Sequence, residues 1–277
     1  MVRGLSWLLC RCPRAMVSVV AWCCGWLLYH VLRLRRRVAR ENIARALPEL
    51  TPRARSQLLR RHYAHLGWTL VDTLRLPRLE VEAARELLGP ALERLEGLRV
   101  GRGVIVLVGH LGCWDRLACA AALAGLPLSV VTRKIKQGGV NRLWQRLRGR
   151  CGVKLLPAHG CALALRRRLR AGELVALAID QHQPGGLPTS FFGRPALTTA
   201  GPARLAQDSG AAVVLASLVR SGEGYRLMLD RIEPGGNANE MTQRFNDRFE
   251  AHVRAYPEQW FWVHRRWKCS ISMVSFG

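Results

Sequence analysis

Residues 104–115 read VIVLVGHLGCWD, and this stretch decides the fold. Val104–Val108 is a run of β-branched and aliphatic residues, short enough to be a strand buried on both faces. Gly109 ends it. His110, Gly112 and Asp115 then follow before a helix-like run, Arg116–Ala124. In an open α/β sheet, a strand end that opens onto a helix start is where ligands and chemistry gather.

Working downstream, the pattern predicts strands at 127–132, 153–156, 174–179 and 211–219, with another around 225–232. Helical segments lie near 116–124, 139–149, 160–171, 200–209 and 238–255. Such alternation implies an α/β domain with a largely parallel sheet covered by helices on both faces. One long Gly/Pro-rich stretch, Gln183–Pro195, is flanked by Asp180-Gln181 and Phe191-Phe192-Gly193. A loop of that length in a compact domain is usually functional.

Upstream, the sequence is helical. Arg36–Ala46 reads as a basic amphipathic helix stopped by Pro48. Thr51-Pro52 caps a second helix running to about Leu76, with Leu58, Leu59, Tyr63, Leu66 and Leu70 on one face. A third is expected over Val81–Leu95. Met16–Leu32 is almost wholly apolar and near the short limit for a membrane-spanning helix, for which about 17–25 residues are needed. Trp7, Trp22, Trp26 and Tyr29 suit the headgroup region, and Arg33, Arg35, Arg36, Arg37 and Arg40 follow directly. By the positive-inside tendency, the rest of the chain is cytoplasmic. The arginines stand where a signal peptide would need its cleavage site; a helix lying flat in one leaflet is the other reading. The chain thus divides into an anchoring segment, 1–35, and a domain, 36–277.

The formal charge of +24 calls for an anionic partner or surface. Nucleic acid, anionic lipid and an acidic carrier protein all qualify. Arginine supplies nearly all of the charge, lysine occurring only at Lys134, Lys136, Lys154 and Lys268, a bias that genome composition also produces. The nine cysteines are scattered without a C-x-x-C pair, which argues against a disulfide framework and a zinc site. Trp260–Lys268, WFWVHRRWK, mixes aromatics with bases. Beside a hydrophobic N-terminal segment, that mixture reads as membrane interface in preference to nucleic-acid stacking.

His110 and Asp115 are five residues apart and meet only if His110 closes the strand, Gly112 lets the backbone turn and Asp115 enters the first helical turn. The bland alternative is a satisfied core histidine. In the functional reading, His110 accepts the proton of a hydroxyl that attacks an acyl carbonyl. Asp115 fixes the imidazole tautomer and steadies the cation. No nucleophile-elbow pattern is present, which favours direct transfer; a thioesterase-like reaction through Cys113 is the minor variant. Arg133 and Lys134 end the second strand at the edge where His110 is expected. Arg133 there can bind a phosphate or neutralise an oxyanion. Asp180, ending a strand at that edge, can orient an acceptor or pair with Arg133.

Four blocks, GHLGCWD, VTRKIKQGGVNRLWQRLRGRCGVKLLP, AIDQHQPGGLPTSFFGRPALTTAGPARLA and YPEQWFWVHRRWK, together with ENIARALPEL, resemble the lipid A biosynthesis acyltransferases. These are the lauroyl- and myristoyl-type transferases of the lysophospholipid acyltransferase superfamily. The resemblance implies a glycerolipid acyltransferase-like fold at the cytoplasmic face of the inner membrane, with no cofactor and no metal. It implies an acyl carrier protein thioester as donor and a hydroxyl of a lipid A precursor or similar glycolipid as acceptor. By position, His110 and Asp115 match the catalytic pair, and Arg133 and Asp180 match active-site positions. Phe192, Gly193, Arg194 and Thr198 fall in the block that shapes the acceptor side. The usual motif reads closer to H-x-G-N-W-E; here Cys113 replaces the Asn and Asp115 the longer Glu. Members with other acceptors also use Asp, so the acceptor is open. A basic membrane- or nucleic-acid-binding protein without catalysis is the contrasting class.

Overall fold

The computed structural model describes residues 2–133 and 137–268; Lys134, paired with Arg133 in the sequence reading, lies outside them. The N-terminal layer holds six helices. α1 (Val2–Arg11) and α2 (Arg14–Trp26) are followed by a π-helical turn, Leu27–Val31, and by α3 (Arg36–Ala46), α4 (Pro52–Leu74), α5 (Val81–Leu88) and α6 (Pro90–Arg99). The Thr51 hydroxyl accepts from the Ala54 amide and Pro52 holds the first helical position of α4, as the sequence indicates. The single helix expected over 81–95 is two. Gly89 adopts a φ of 49° and Pro90 restarts the chain as α6, because proline cannot donate within a helix but suits its first turn. α1 has no counterpart in the sequence reading.

Arg14–Val31 is the one helical stretch among the described residues long and apolar enough to cross a membrane. It packs on α4 along Val17, Ala21 and Gly25. A β-carbon at Gly67 would lie 2.1 Å from the Ala21 carbonyl oxygen, and one at Gly25 would lie 2.6 Å from that of Tyr63. Two glycines therefore let the backbones of α2 and α4 touch. The opposite side of α1 and α2 leaves Trp7, Leu8, Met16, Val19, Trp22 and Trp26 exposed.

β1 (Val104–Val108) begins the sheet and leads to α7 (Trp114–Leu123). There follow β2 (Leu128–Thr132), α8 (Gly138–Arg150), β3 (Lys154–Pro157), α9 (Ala162–Arg170) and β4 (Leu174–Ala178). After β5 (Leu187–Phe191) and β6 (Arg194–Thr198) come α10 (Gly201–Ser209), β7 (Ala212–Ser221), β8 (Gly224–Ile232) and α11 (Ala238–Ala255). The six-stranded sheet runs β3-β2-β4-β1-β7-β8, parallel except for β8, which returns antiparallel to β7. Side-chain alternation splits the apolar residues between two cores. Ile105, Leu107, Val175, Leu177, Val213 and Leu215 face α3, α4 and α9–α11. Val104, Val106, Leu174, Ala176, Val214 and Ala216 face α5–α8.

The stretch expected to be a loop folds largely as a separate β5–β6 hairpin. Its two-residue turn, Phe192-Gly193, has both φ angles positive, 53° and 64°, which matches the twist of a hairpin. A phenylalanine in that conformation is strained. It is held by its amide donating to Glu250 (2.5 Å) and by its ring lying against Phe191, Trp260 and Trp262. The C-terminal aromatic segment is also reassigned, from membrane interface to core. Trp260, Trp262 and Arg266 are fully buried, because their donors find partners inside: Asp180, Pro257 and Thr198.

The glycine contact is testable. Gly67→Ala is expected to cost about 1–3 kcal/mol through overpacking. Gly97→Ala on α6, where a β-carbon meets nothing within 4 Å, should be neutral or stabilising by up to about 1 kcal/mol. Thermal unfolding of both variants checks this, and equal melting temperatures would contradict backbone contact between α2 and α4.

Candidate active site

His110 sits two residues beyond β1, and Asp180 two residues beyond β4, its hydrogen-bonded neighbour. Val108 is in register with Ala178, and continuing that register sets His110 opposite Asp180. The His110 amide donates to Asp180 Oδ2 at 2.7 Å, and His110 Nδ1 lies 2.9 Å from Oδ1. Trp260 Nε1 donates to Oδ2 at 2.9 Å. A carboxylate with three such bonds is well compensated for its burial. Burial opposes its charge, but the His110 ring and these donors prevail and hold Asp180 well below the usual carboxylate range. For His110 burial works against the imidazolium, yet Asp180 outweighs it and its pKa is raised.

The backbone here is tightly specified. A β-carbon at Gly109 would strike the Phe249 ring at 2.1 Å. Gly112 has a φ of 65°, and a β-carbon there would lie 2.1 Å from the Leu218 carbonyl oxygen. The turn is tied to its surroundings by Phe261 N–H to His110 O (2.9 Å), Gly112 N–H to Gln259 O (3.1 Å) and Cys113 N–H to Leu218 O (2.7 Å). The imidazole packs edge-on to Trp114, 5.1 Å between centroids, with Phe261 at 6.0 Å. About a quarter of the side chain stays exposed.

Asp115 does not take the place the sequence reading gave it. Its Oδ1 receives both Nε and Nη2 of Arg148 at 2.6 Å, and Thr73 donates to Oδ2 at 3.4 Å. The helical turn after Gly112 points the carboxylate at α8, so Asp115 acts on the imidazole only as a nearby negative charge. Asp180 orients the ring. Nor does Asp180 pair with Arg133, which is exposed and donates to Gln183 Oε1 at 2.5 Å. Cys113 is buried and its thiol donates to Asp72 (3.4 Å). Burial and that carboxylate raise its pKa well above the ordinary value, the reverse of what a nucleophilic thiol needs.

Trp114, Asp115 and Arg148 also line an apolar cavity of about 80 Å³. From there it runs under the sheet, past Val108, Val130, Ala176 and Ala216, to Leu95, Ala121, Leu128 and Leu174. Beyond Asp115 and Arg148 the lining is aliphatic, which suits hydrocarbon. Phe192, Gly193, Arg194 and Thr198 do not line it. Phe192 backs Trp260, and Arg194 Nε donates to Arg45 O (2.9 Å). Thr198 is buried with Thr189, Asn246 and Arg266. Among the described residues no group of three or more His, Cys, Asp or Glu side chains converges to hold a metal ion.

Sequence reasoning missed Trp260, Phe261, Arg148 and Gln181. The first two belong to the aromatic segment already singled out. Arg148 is one of four arginines in 142–150, and nothing in its spacing marks it.

The family profile described as bacterial lipid A biosynthesis acyltransferase matches residues 1–269. The chain is 25% identical over 246 residues to a phosphatidylinositol mannoside acyltransferase of Mycolicibacterium smegmatis, covering 84% of this chain and 80% of that protein. It is likewise 25% identical to one of Mycobacterium tuberculosis over 245 residues, 84% and 77% of the two chains.

The electrostatics give a measurable expectation. His110 should titrate above the ordinary imidazole value of about 6.5, Asp180→Asn should bring it down, and Asp115→Asn should lower it less. Histidine NMR titrations decide this; a larger drop in Asp115→Asn would restore Asp115 as the ring's partner.

Proposed function

Since this chain belongs to the bacterial lipid A biosynthesis acyltransferase family and is an acyltransferase, we propose that it moves a fatty acyl chain from a thioester to a hydroxyl of a glycolipid, with His110 as general base. The observation that carries this reading is His110 itself. Its Nδ1 is committed to Asp180, which leaves Nε2 as the acceptor, and Trp114, packed against the ring, lines the apolar cavity. The acceptor hydroxyl gives its proton to Nε2 while its oxygen bonds to the acyl carbon. The tetrahedral intermediate collapses with cleavage of the C–S bond, and the departing thiolate takes the proton back from His110. Asp180 orients the ring and balances its transient charge. Because His110 must be neutral, activity falls in acid, through a pKa above the ordinary imidazole value.

For the donor, an acyl carrier protein suits the basic surface, and the cavity of about 80 Å³ under β1 and β4 takes a few methylenes of the acyl chain. Two acceptors are in view. The family description favours a lipid A precursor, whereas the two mycobacterial relatives favour a phosphatidylinositol-mannoside-like glycolipid. Both place a sugar hydroxyl on an anionic lipid. Arg133 and Arg194 are exposed cations available to phosphate; Phe192, Gly193 and Thr198 support the fold behind Asp180.

The attachment we favour is one leaflet of the inner membrane, on its cytoplasmic face. With one side fixed to α4, α2 presents Met16, Val19, Trp22 and Trp26 outward, and Trp7 and Leu8 of α1 extend that apolar face. Exposed Arg11, Arg14, Arg33 and Arg35 rim it. Apolar faces edged by arginine lie in the headgroup region of anionic bilayers. Residues 1–35 then serve as a docked anchor for the domain that follows, and nucleic acid is not a partner.

His110→Ala should lower transfer by orders of magnitude while binding to anionic vesicles is unchanged; unaltered transfer would refute the base assignment. Ala121→Leu narrows the inner end of the cavity and should shift preference to shorter chains, by about 10–200-fold per excluded methylene. Mass spectrometry of the product with mixed-length donors reads this, and an unchanged product distribution would remove the cavity as acyl site.

A further inference from the structure

The turn from β1 into α7 has little left for a developing oxyanion. The amides of His110, Gly112 and Cys113 are spent on Asp180, Gln259 and Leu218. What faces the reactive nitrogen is a side chain: Gln181 Nε2 lies 3.4 Å from His110 Nε2. With Nδ1 carrying the proton for Asp180, Nε2 of the neutral ring can only accept, so the amide group turned towards it is the donating NH2. The Gln181 backbone is fixed on both sides. Arg266 Nη1 donates to its carbonyl at 3.4 Å, and the next amide, of His182, donates to His264 Nε2 at 3.1 Å. Its side chain is half-buried, and among the described residues its only hydrogen bond is the one to His110.

Resting on the acyl-transfer reading above, we propose that Gln181 is a catalytic residue that donates its side-chain amide to the oxyanion of the tetrahedral intermediate. In the free enzyme the amide sits on His110 Nε2. The acceptor hydroxyl needs that position, at about 2.6–3.2 Å from the base, and displaces it. The amide then turns to the thioester carbonyl. As the acceptor oxygen bonds to the acyl carbon and its proton passes to Nε2, the carbonyl π pair moves onto oxygen and the Gln181 N–H stabilises it. The pair returns on collapse, the C–S bond breaks, and the thiolate takes the proton from His110. Asp180, in contact, and Asp115, Arg148 and His264, at longer range, are the charged and titratable groups that act on the imidazole, and all remain when Gln181 is changed.

The test uses the full chain on anionic vesicles carrying a glycolipid acceptor, with an acyl-carrier thioester as donor. Gln181→Ala should lower kcat about 10²–10³-fold, the range for loss of one oxyanion donor, with KM for both substrates nearly unchanged. It also frees Nε2 in the free enzyme, so the acid limb of kcat/KM should move to higher pH, which a merely structural role would not do. Gln181→Glu keeps the size, removes the donor, and should lose kcat as well. Either variant working within about threefold of wild type overturns the proposal, as does a slower Gln181→Ala enzyme with an unmoved acid limb. His110→Ala is run alongside: transfer surviving in that variant would sink the general-base reading itself, whatever Gln181 does.

Discussion

Register between two parallel strands is the constraint on which the rest depends. β1 and β4 are adjacent and aligned, and each runs two residues past its last paired position before its functional side chain appears. His110 and Asp180 therefore face one another without any special loop. The pair is rigid because the same carboxylate also takes the His110 amide and the Trp260 indole. Removing one partner of a buried pair like this leaves a charge uncompensated, at a cost of about 3–5 kcal/mol. That cost explains why so much of the molecule is arranged behind Asp180. Phe191, Phe192, Trp260, Trp262 and Trp267 form a continuous aromatic cluster there, and buried Arg266 ties the chain after the cluster to the β5–β6 hairpin.

The second acid of the site has a different task. Asp115 and Arg148 close a fork between α7 and α8 at one end of the apolar cavity. Both partners are largely buried, so each compensates the other's desolvation, and the deeper walls are left apolar. The sheet thus separates two environments. A polar edge carries His110 and Asp180, and an apolar cavity lies beneath one face. Trp114 belongs to both, touching the imidazole and lining the cavity. An ester-forming enzyme whose donor ends in a fatty chain needs both environments within one bond's reach.

Much of this was legible in the residues. The strands over 104–108 and 174–178 stand out because both faces are buried, which removes the polar alternation. His110 at a strand end was equally plain. Its partner was not, because strand order is a tertiary property: nothing local says that β4 and not β2 lies beside β1. A five-residue spacing to Asp115 is a visible signal; a partner seventy residues away is visible only once the sheet is assembled. The Gln183–Pro195 stretch misled because Gly and Pro suggest a loop, whereas Phe192-Gly193 makes a tight turn that tertiary packing enforces. WFWVHRRWK misled because aromatic and basic residues suit a membrane interface as well as a core in which Trp260, Trp262 and Arg266 find acceptors. Only the buried partners separate those two cases.

On this mechanism His110 presents an unprotonated Nε2 because Asp180 holds the proton on Nδ1. Nitrogen-15 NMR of the histidine ring reads this directly at a pH where the ring is neutral. The account predicts the Nδ1–H tautomer for His110 in the wild-type protein and in Asp115→Asn, with that preference lost in Asp180→Asn. A wild-type ring protonated on Nε2, or a tautomer that follows Asp115 instead of Asp180, would contradict it.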